Sequence, residues 1–364
     1  MEKVDVVIIG AGIVGLAIAE KLSKKYDNII VAEKEPSFGR HTSSRNSEVI
    51  HSGIYYPKDT LKAKLCVRGG DLIYDFLENH QIPYKKCGKL VLATDESELP
   101  ILEELKRKGI NNGVKNLEMI SEKEAKELEP NFKSCGALKV PVTGIMDTHS
   151  CMKKMEFLAE QNEVMFAYNT EIVNVEKQDD GYVISIKDDD FQIKTKILIN
   201  SAGLWSDKIS EMVGIDTQKN EYKLHWCKGE YYKTTRYKNI NHLIYPVPTK
   251  ISLGIHGVIN LNGDLSFGPS AYYVDELGYK MDEKYKKDFY NSIKKYLDIE
   301  MDDLGLDDCG IRPKLQGESD DFRDFVISNE REKGFPNFIN LVGIDSPGLT
   351  CCLSIAEYVE EIID

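Results

Sequence analysis

The stretch Val4-Asp5-Val6-Val7-Ile8-Ile9-Gly10-Ala11-Gly12-Ile13-Val14-Gly15 decides the fold. Its first half is a β-branched run, typical of a strand that is buried on both faces. The apolar pattern then predicts a helix over 16–25 and a second strand over 28–32, which ends at Glu33. A strand, a glycine-rich turn, a helix and a strand in this order predict a βαβ unit that binds a dinucleotide.

Each glycine of this turn has its own physical role. Gly10 permits the tight turn, Gly12 lets a pyrophosphate approach the backbone, and Gly15 lets the helix pack closely on the strand. The positive end of the helix then faces the phosphates. Glu33 is placed to accept hydrogen bonds from ribose hydroxyls, and its charge disfavours a 2′-phosphate. We therefore expect FAD or NAD rather than NADP.

The composition is that of an ordinary globular protein of 364 residues, with 41% apolar and 29% charged residues. The 60 acidic residues outnumber the 47 basic ones, which gives a net charge of −13 and disfavours nucleic acid as a partner. The length of the apolar stretches decides whether a membrane span is expected. The longest of them, 6–19, is shorter than the roughly 20 residues of a bilayer span, so we expect no transmembrane segment. The N-terminus lacks the features of a signal peptide. We expect a cytoplasmic protein, and a peripheral position at the inner face of the membrane stays open.

The eight cysteines, at positions 66, 87, 135, 151, 227, 309, 351 and 352, form no Cys-x-x-Cys pair. Such a spacing favours neither a zinc site nor a redox dithiol. We expect reduced, mostly buried thiols and no metal site.

Later segments predict the rest of the architecture. Short hairpins over 164–196 lead to a buried strand over 197–200, followed by Ser201, Ala202 and Gly203, small residues that let a cofactor lie against the backbone. Strand-like pieces follow at 229–233, 242–247, 251–258 and 265–267, and a helix is predicted over 283–297. A last strand over 338–342 and a glycine-bearing loop lead into a helix over 351–363.

Because the first and last strands bracket the chain, the dinucleotide-binding domain must be discontinuous. We predict an α/β fold in which a Rossmann-like FAD-binding domain is joined to a mostly antiparallel β-sheet substrate domain with helices. The predicted FAD-binding domain comprises 1–80, 140–220 and 310–364. The predicted substrate-binding domain comprises 81–139 and 221–309.

The whole chain resembles the D-amino-acid-oxidase superfamily of FAD-dependent oxidoreductases, through the fingerprint ending in Glu33, the strand ending in Ser-Ala-Gly and the C-terminal glycine-rich loop. Within it, the chain is similar to the L-2-hydroxyglutarate dehydrogenase branch. Five separated motifs carry this second resemblance: 42–56, Cys87-Gly88-Lys89-Leu90, Lys228-Gly229-Glu230-Tyr231, Leu243-Ile244-Tyr245-Pro246-Val247-Pro248 and Ser346-Pro347-Gly348-Leu349-Thr350.

The resemblance implies a set of FAD-binding residues. The fingerprint residues hold the nucleotide, the backbone near Val173 meets the adenine, and the last loop lies along the isoalloxazine with its helix N-terminus at the pyrimidine side. The predicted FAD-binding residues are Gly10, Gly12, Gly15, Glu33, Ser44, Asn46, Ser47, Val173, Ala202, Gly203, Gly343, Gly348, Leu349 and Thr350.

Five side chains are candidates for the chemistry. His51 is the candidate base, because imidazole titrates near neutrality and the matching histidine of related glycerol-3-phosphate oxidases is taken as the base. Arg312 is the candidate cation for a substrate carboxylate, since a guanidinium matches a carboxylate bidentately. Tyr245 is a further carboxylate donor, Lys228 a second cation, and His256 a residue lining the substrate cavity.

The predicted function is the oxidation of a small L-2-hydroxy acid, L-2-hydroxyglutarate first, to the 2-oxo acid. The partners are a small carboxylate substrate and an electron acceptor that is oxygen, a quinone or a carrier protein. On the same fold, an amino-acid oxidase of the glycine-oxidase type and a glycerol-3-phosphate oxidase are alternatives. A flavin-holding sensor or scaffold without turnover is the alternative from another class.

Overall fold

The computed structural model describes residues 2–248 and 254–364. Contacts divide the chain into two compact units. The described residues form these strands: β1 (Glu2–Ile9), β2 (Ile29–Ala32), β3 (Val49–Ile50), β4 (Tyr84–Lys85), β5 (Lys89–Ala93), β6 (Glu118–Ser121), β7 (Gly136–Val140), β8 (Gly144–Met146), β9 (Met165–Ala167), β10 (Ile172–Gln178), β11 (Gly181–Ile186), β12 (Gln192–Asn200), β13 (His225–Thr234), β14 (Leu243–Pro246), β15 (His256–Ile259), β16 (Leu265–Gly268), β17 (Tyr272–Val274), β18 (Gly305–Lys314), β19 (Val326–Asn329) and β20 (Phe338–Val342).

Helices connect many of these strands. Their bounds are α1 (Ile13–Leu22), α2 (Leu61–Asn79), α3 (Leu99–Asn111), α4 (Glu122–Leu128), α5 (Thr148–Gln161), α6 (Ser206–Val213), α7 (Lys286–Ile293) and α8 (Gly348–Ile362). None of the helices in the described part of the chain is both long and apolar enough to cross a membrane.

The first unit contains Met1–Ser44, Thr148–Trp226 and Arg312–Asp364. Its sheet is built on β1, which lies parallel between β2 and β12, and β20 adds a further parallel strand beside β12. The near-continuous apolar sequence of β1 suits this central place, since Val6, Val7 and Ile8 are fully buried. The predicted βαβ opening and the discontinuous assembly of this sheet are both present.

A buried polar network joins β12 to β20 in this unit. Asn200 donates to the side-chain oxygen of Asn340 at 2.8 Å, and the Ser210 hydroxyl donates to the same oxygen at 3.0 Å. The amide of Asn340 in turn donates to Glu330 at 3.1 Å, and Lys333 lies 2.7 Å from that carboxylate. Because these buried polar groups satisfy one another, the network specifies how the C-terminal strand pairs.

The second unit contains Arg45–Asp147 and Cys227–Ile311. Its main sheet has the order β17-β13-β16-β15-β14-β5-β7-β6, with β18 paired to β13. Most of its pairs are antiparallel, and β5 runs parallel to β14. This parallel pair sets Lys89 opposite Leu243 and Val91 opposite Tyr245, which brings two distant segments of the chain together.

Several bounds differ from the sequence predictions. The chain divides after Ser44, because β3 pairs with β8 of the second unit, whereas the predicted FAD-binding domain extends to residue 80. The strands expected at 191–196 and 197–200 are one strand, β12, whose two halves pair with β11 and β20. The helix predicted over 283–297 is an α-helix only over Lys286–Ile293. Of the strand predicted over 251–258, residues 251–253 lie outside the described residues.

Candidate active site

The glycine turn of the first unit is shaped by close backbone packing. Gly10 has a positive φ of 102°, and a Cβ on it would lie 2.8 Å from the carbonyl oxygen of Ser201. A Cβ on Gly15 would overlap the carbonyl oxygen of Gly10. The hydroxyl of Ser201 donates to the carbonyl oxygens of Ile9 and Gly10, at 2.9 and 3.2 Å. These contacts explain why small residues are needed where β1 and β12 end.

The N-terminus of α1 is capped only in part, by a side chain from outside the helix. Gly12 is its cap residue and gives no side-chain hydrogen bond, and the N–H of Ile13 donates to the Ser43 hydroxyl at 3.0 Å. The first N–H groups of a helix have no partner within the helix, so this end can receive an anion. The predicted contact between Gly12 and a pyrophosphate fits this arrangement.

Glu33 lies at the end of β2, and its carboxylate reaches the glycine turn. One oxygen accepts from the N–H of Ala11 at 2.7 Å, and the other accepts from the N–H of Glu35 at 2.9 Å. These two bonds fix the carboxylate beside the turn. A fixed acceptor in this position suits the ribose hydroxyls of a dinucleotide.

The segment expected near the pyrophosphate and flavin crosses the division of the chain. Ser44 ends the first piece of the first unit, in a 3₁₀ turn where its hydroxyl donates to the carbonyl oxygen of His41 at 3.4 Å. Asn46 and Ser47 belong to the second unit, and the Asn46 side chain accepts from the N–H of Glu48 at 2.8 Å. Their contact with FAD stays a prediction.

Two further predicted segments lie in the first unit. Val173 is 44% exposed on β10, at an irregularity of the pairing with β11 between Ile172 and Asn174. Ala202 and Gly203 follow β12, and Gly203 has a φ of 53° with open space around it. Both backbone segments can therefore be approached by a ligand, and the adenine and flavin contacts remain predictions.

The C-terminal loop enters its helix earlier than expected. The helix α8 begins at Gly348 rather than at 351, so Leu349 and Thr350 lie in its first turn. The turn is closed by the N–H of Gly348, which donates to the carbonyl oxygen of Asp345 at 2.7 Å. Gly343 starts the loop with a φ of 73°. The cap residue of this helix, Pro347, makes no side-chain hydrogen bond, and the role of the helix N-terminus beside the flavin stays a prediction.

His51 follows β3 in the second unit. Burial and, to a smaller extent, the nearby positive charge of Lys89 lower the pKa of its imidazole to about 3. The carbonyl oxygen of His51 accepts from the Cys66 thiol at 3.6 Å. The imidazole is therefore neutral at physiological pH, which is the form that accepts a proton.

Tyr245 and His256 form a stacked pair across two strands. The register of β14 and β15 sets them opposite each other, and their rings are 3.6 Å apart with an interplanar angle of 13°. Burial raises the pKa of Tyr245, so its hydroxyl stays protonated and can donate. Both predicted site residues thus belong to one buried group in the second unit.

Lys89 joins this group, although the sequence analysis gave it no role. Its Nζ lies 4.5 Å from the ring centroid of Tyr245 and 4.6 Å from that of Tyr55. The lysine is 0% exposed, and burial lowers its pKa to about 7. The available signal was a lysine at the start of the apolar strand Lys-Leu-Val-Leu-Ala, every residue of which is buried.

Lys228 is held by neighbours in the second unit. Its ammonium lies 3.3 Å from the Glu230 carboxylate and donates to the carbonyl oxygen of Lys280 at 2.5 Å. The Tyr272 hydroxyl donates to the same carboxylate at 2.6 Å. Lys228 is predicted to bind a substrate carboxylate. The Glu230 carboxylate would compete with the substrate for this ammonium.

Arg312 belongs to the first unit and lies on β18. It is half-buried between Ile311, which is buried, and Pro313. Its role in carboxylate binding stays a prediction. Among the residues that the structure describes, no three metal-binding side chains come together.

Comparisons with known proteins decide the family. The family described as "FAD dependent oxidoreductase" (DAO) matches residues 5–362. The chain belongs to this family. It is therefore an FAD-dependent oxidoreductase, as the sequence motifs predicted, and the glycine turn, Glu33 and the N-terminus of α1 fit the cofactor.

Individual relatives agree with this family. The mitochondrial L-2-hydroxyglutarate dehydrogenase of Arabidopsis thaliana is 36% identical over 401 residues, covering 98% of this chain and 83% of the relative. The glycerol 3-phosphate dehydrogenase of Caloramator mitchellensis is 32% identical over 368 residues, covering 99% of this chain and 73% of the relative.

A solved structure confirms the predicted fold class. The dithionite-reduced L-α-glycerophosphate oxidase from Mycoplasma pneumoniae, with FAD bound, superposes with a TM-score of 0.89 at 28% identity. The match covers 100% of this chain and 95% of that chain.

Proposed function

We propose that this FAD-dependent oxidoreductase oxidises a small L-2-hydroxy acid to the 2-oxo acid, and that L-2-hydroxyglutarate is the first substrate to test. The observation that carries the proposal is the half-buried imidazole of His51 near the positive charge of Lys89, because this imidazole is neutral at physiological pH and can accept a proton. Similarity to the plant L-2-hydroxyglutarate dehydrogenase over nearly the whole chain supports the substrate class.

Oxidation of a hydroxy acid removes a hydride from the carbon and a proton from the hydroxyl. Bound FAD supplies the hydride acceptor. His51 takes the hydroxyl proton, since a positioned base speeds such a step by about a hundredfold or more. Arg312 binds the carboxylate next to the hydroxyl-bearing carbon and so orients the substrate.

The remaining predicted residues have supporting roles in this proposal. The Tyr245 hydroxyl donates to the substrate, and the stacked ring of His256 holds Tyr245 in place. Lys228 contributes a second positive charge that Glu230 balances before substrate binds. Near-attack geometry of this kind supplies roughly 7 to 11 kcal/mol of the barrier when all groups are aligned.

Oxidation of glycerol 3-phosphate is the second candidate function. It is favoured by the likeness to the L-α-glycerophosphate oxidase and to the glycerol 3-phosphate dehydrogenase. A phosphate substrate calls for more than one cation in its pocket. An amino-acid oxidase of the glycine-oxidase type has support from the fold alone.

The electron acceptor and the compartment are proposals as well. Oxygen, a quinone and a carrier protein are all compatible with a flavin, and we propose a cytoplasmic location.

The test is anaerobic bleaching of the flavin by a substrate panel. The purified holoenzyme is mixed with L-2-hydroxyglutarate, L-lactate, glycine and glycerol 3-phosphate, and the visible flavin absorbance is followed. We expect rapid bleaching by L-2-hydroxyglutarate. Bleaching by glycerol 3-phosphate alone would support the second candidate, and a holoenzyme that no compound bleaches would favour a sensor or scaffold.

A further inference from the structure

Lys89 places a cationic group in the interior of the second unit without a counter-ion. Its Nζ has no hydrogen-bond or ion-pair partner within 2–248 and 254–364, and the faces of Tyr55 and Tyr245 lie against it. Aromatic faces stabilise a cation modestly. They do not replace the hydration that a buried ammonium loses, so an anion is missing from this position.

The hydroxyl of Tyr55 is a second donor that lacks an acceptor. It is buried and has no hydrogen-bond partner among the described residues, although its ring lies 4.6 Å from the Lys89 Nζ. Burial raises the pKa of Tyr55, so the hydroxyl keeps its proton. Buried donors normally have partners, and two neighbouring donors without one indicate a shared ligand.

The titratable groups around Lys89 do not balance the positive charge of its ammonium. In the described part of the chain they include His51, Cys66, Tyr55 and Tyr245, and none of these four is a carboxylate. One ammonium together with one hydroxyl matches a single carboxylate, whereas a phosphate dianion calls for more than one cation.

We propose that Lys89 and the Tyr55 hydroxyl bind a second carboxylate of the substrate, distinct from the one beside the hydroxyl-bearing carbon. The substrate is then a 2-hydroxy diacid, and Lys89 determines specificity. This inference deepens the proposed function and rests on it.

Two variants test the assignment in the holoenzyme. Lys89→Met removes the charge and keeps the length of the side chain, and Tyr55→Phe removes only the hydroxyl. Lys139→Met, on the adjacent strand β7, is the control, because Lys139 makes a surface ion pair with Glu118 at 3.7 Å.

The readout is the concentration of substrate that half-saturates the rate of flavin bleaching. For L-2-hydroxyglutarate, we expect Lys89→Met to raise this concentration at least about tenfold and Tyr55→Phe about threefold. For L-lactate, which lacks the second carboxylate, both variants should match the wild type within about twofold. Equal changes for the two substrates, or no change for the diacid, would overturn the proposal.

Glutarate binding separates this inference from the proposed function. Glutarate has both carboxylates and no hydroxyl, so calorimetry measures its binding whether or not any 2-hydroxy acid is oxidised. We expect wild-type binding to weaken as the pH rises above about 7, where Lys89 loses its proton, and Lys89→Met to bind weakly at every pH. Wild-type protein that binds no glutarate, or a variant that binds it equally well, contradicts the inference. If only the response to glycerol 3-phosphate depends on Lys89, the anion is a phosphate and the diacid assignment is wrong.

Discussion

In the first unit, most of the candidate ligand-binding groups belong to the backbone, whereas in the second unit they are buried side chains. The glycine turn presents N–H groups at the start of α1, and Glu33 is fixed by two backbone bonds. The second unit instead buries Lys89 and Tyr245 completely and His51 in part, and burial shifts the pKa of each. A backbone site tolerates almost no added atoms, while a side-chain site depends on charge and protonation.

The largest effect is expected from adding bulk to the backbone site. Gly15→Val should abolish FAD binding, because even a Cβ at this position overlaps the carbonyl oxygen of Gly10. The measurement is the ratio of visible flavin absorbance to protein absorbance after purification. Gly305→Ala is the control, since a Cβ there meets open space. A Gly15→Val protein with full flavin content would contradict the claim that the backbone site of the first unit tolerates almost no added atoms.

The next largest effect concerns the base in the second unit. His51→Gln should slow anaerobic bleaching by L-2-hydroxyglutarate about a hundredfold or more, with flavin content unchanged. Unaltered bleaching would remove His51 from the mechanism.

The pH dependence of the wild-type rate tests the protonation state of His51. Because the pKa of His51 is lowered to about 3, the imidazole is neutral well below its ordinary pKa of 6.5. We therefore expect no loss of kcat/KM near pH 6.5 as the pH falls. An acid limb at that pH, absent from His51→Gln, would show that the imidazole titrates normally.

A smaller effect is expected at the carboxylate of the first unit. Glu33→Gln should weaken FAD binding about tenfold, because a hydrogen bond to a charged group is stronger than one to a neutral amide. The dissociation constant is measured by titrating FAD into the apoprotein and following flavin fluorescence. Glu171→Gln is the control, as Glu171 forms an exposed pair with Lys187 at 2.9 Å. Equal weakening in both variants would contradict a specific role for Glu33.

The smallest effect concerns the free energy of unfolding, and it is a gain, whereas the preceding variants lose cofactor binding or rate. Without substrate, Lys89→Met should stabilise the protein by about 1 to 4 kcal/mol at neutral pH, because it removes a buried charge that has no counter-ion among the described residues. The pKa of Lys89 is about 7 in the folded protein and 10.5 in the unfolded chain, so the unfolded chain binds more protons between these values. The contribution of Lys89 to wild-type stability should therefore rise from pH 7 to pH 10.5, and the advantage of the variant should shrink.

Thermal unfolding of both proteins at about pH 6 and about pH 10 checks this expectation. If Lys89→Met were less stable at both pH values, Lys89 would be a packing residue and not a residue kept for binding.

The difference between the units also explains what the sequence could predict. The βαβ opening was predictable because its requirements are local: three glycines and one acidic residue stand at fixed spacings after an apolar strand. The last strand was predicted with the bounds Phe338–Val342 that it has in the structure. Because the first and last strands bracket the chain, the sequence also predicted one discontinuous domain, and in the structure β1 and the C-terminal strand belong to one sheet.

The group around Lys89 could not be predicted in the same way. It depends on the parallel pairing of β5 with β14 and on the approach of Tyr55, and no spacing in the sequence encodes either contact. The motif Cys87-Gly88-Lys89-Leu90 marked the segment without indicating that the ammonium is buried. Residue type alone also concealed that Lys228 is paired with Glu230. Burial and pairing of charges are set by tertiary contacts, which is why these roles needed the structure.

The network that joins Asn200 to Asn340 has a consequence for how the protein is made. During translation, β1, β2 and β12 leave the ribosome long before β20, which pairs with β12. One side of β12 therefore lacks its partner strand, and Asn200 lacks the side chain of Asn340, until β20 has been synthesised. The segments of the second unit end at Ile311 and are complete earlier. Ribosome-bound chains stopped just before Phe338 should thus hold a protease-resistant second unit and a first unit that is still open to cleavage.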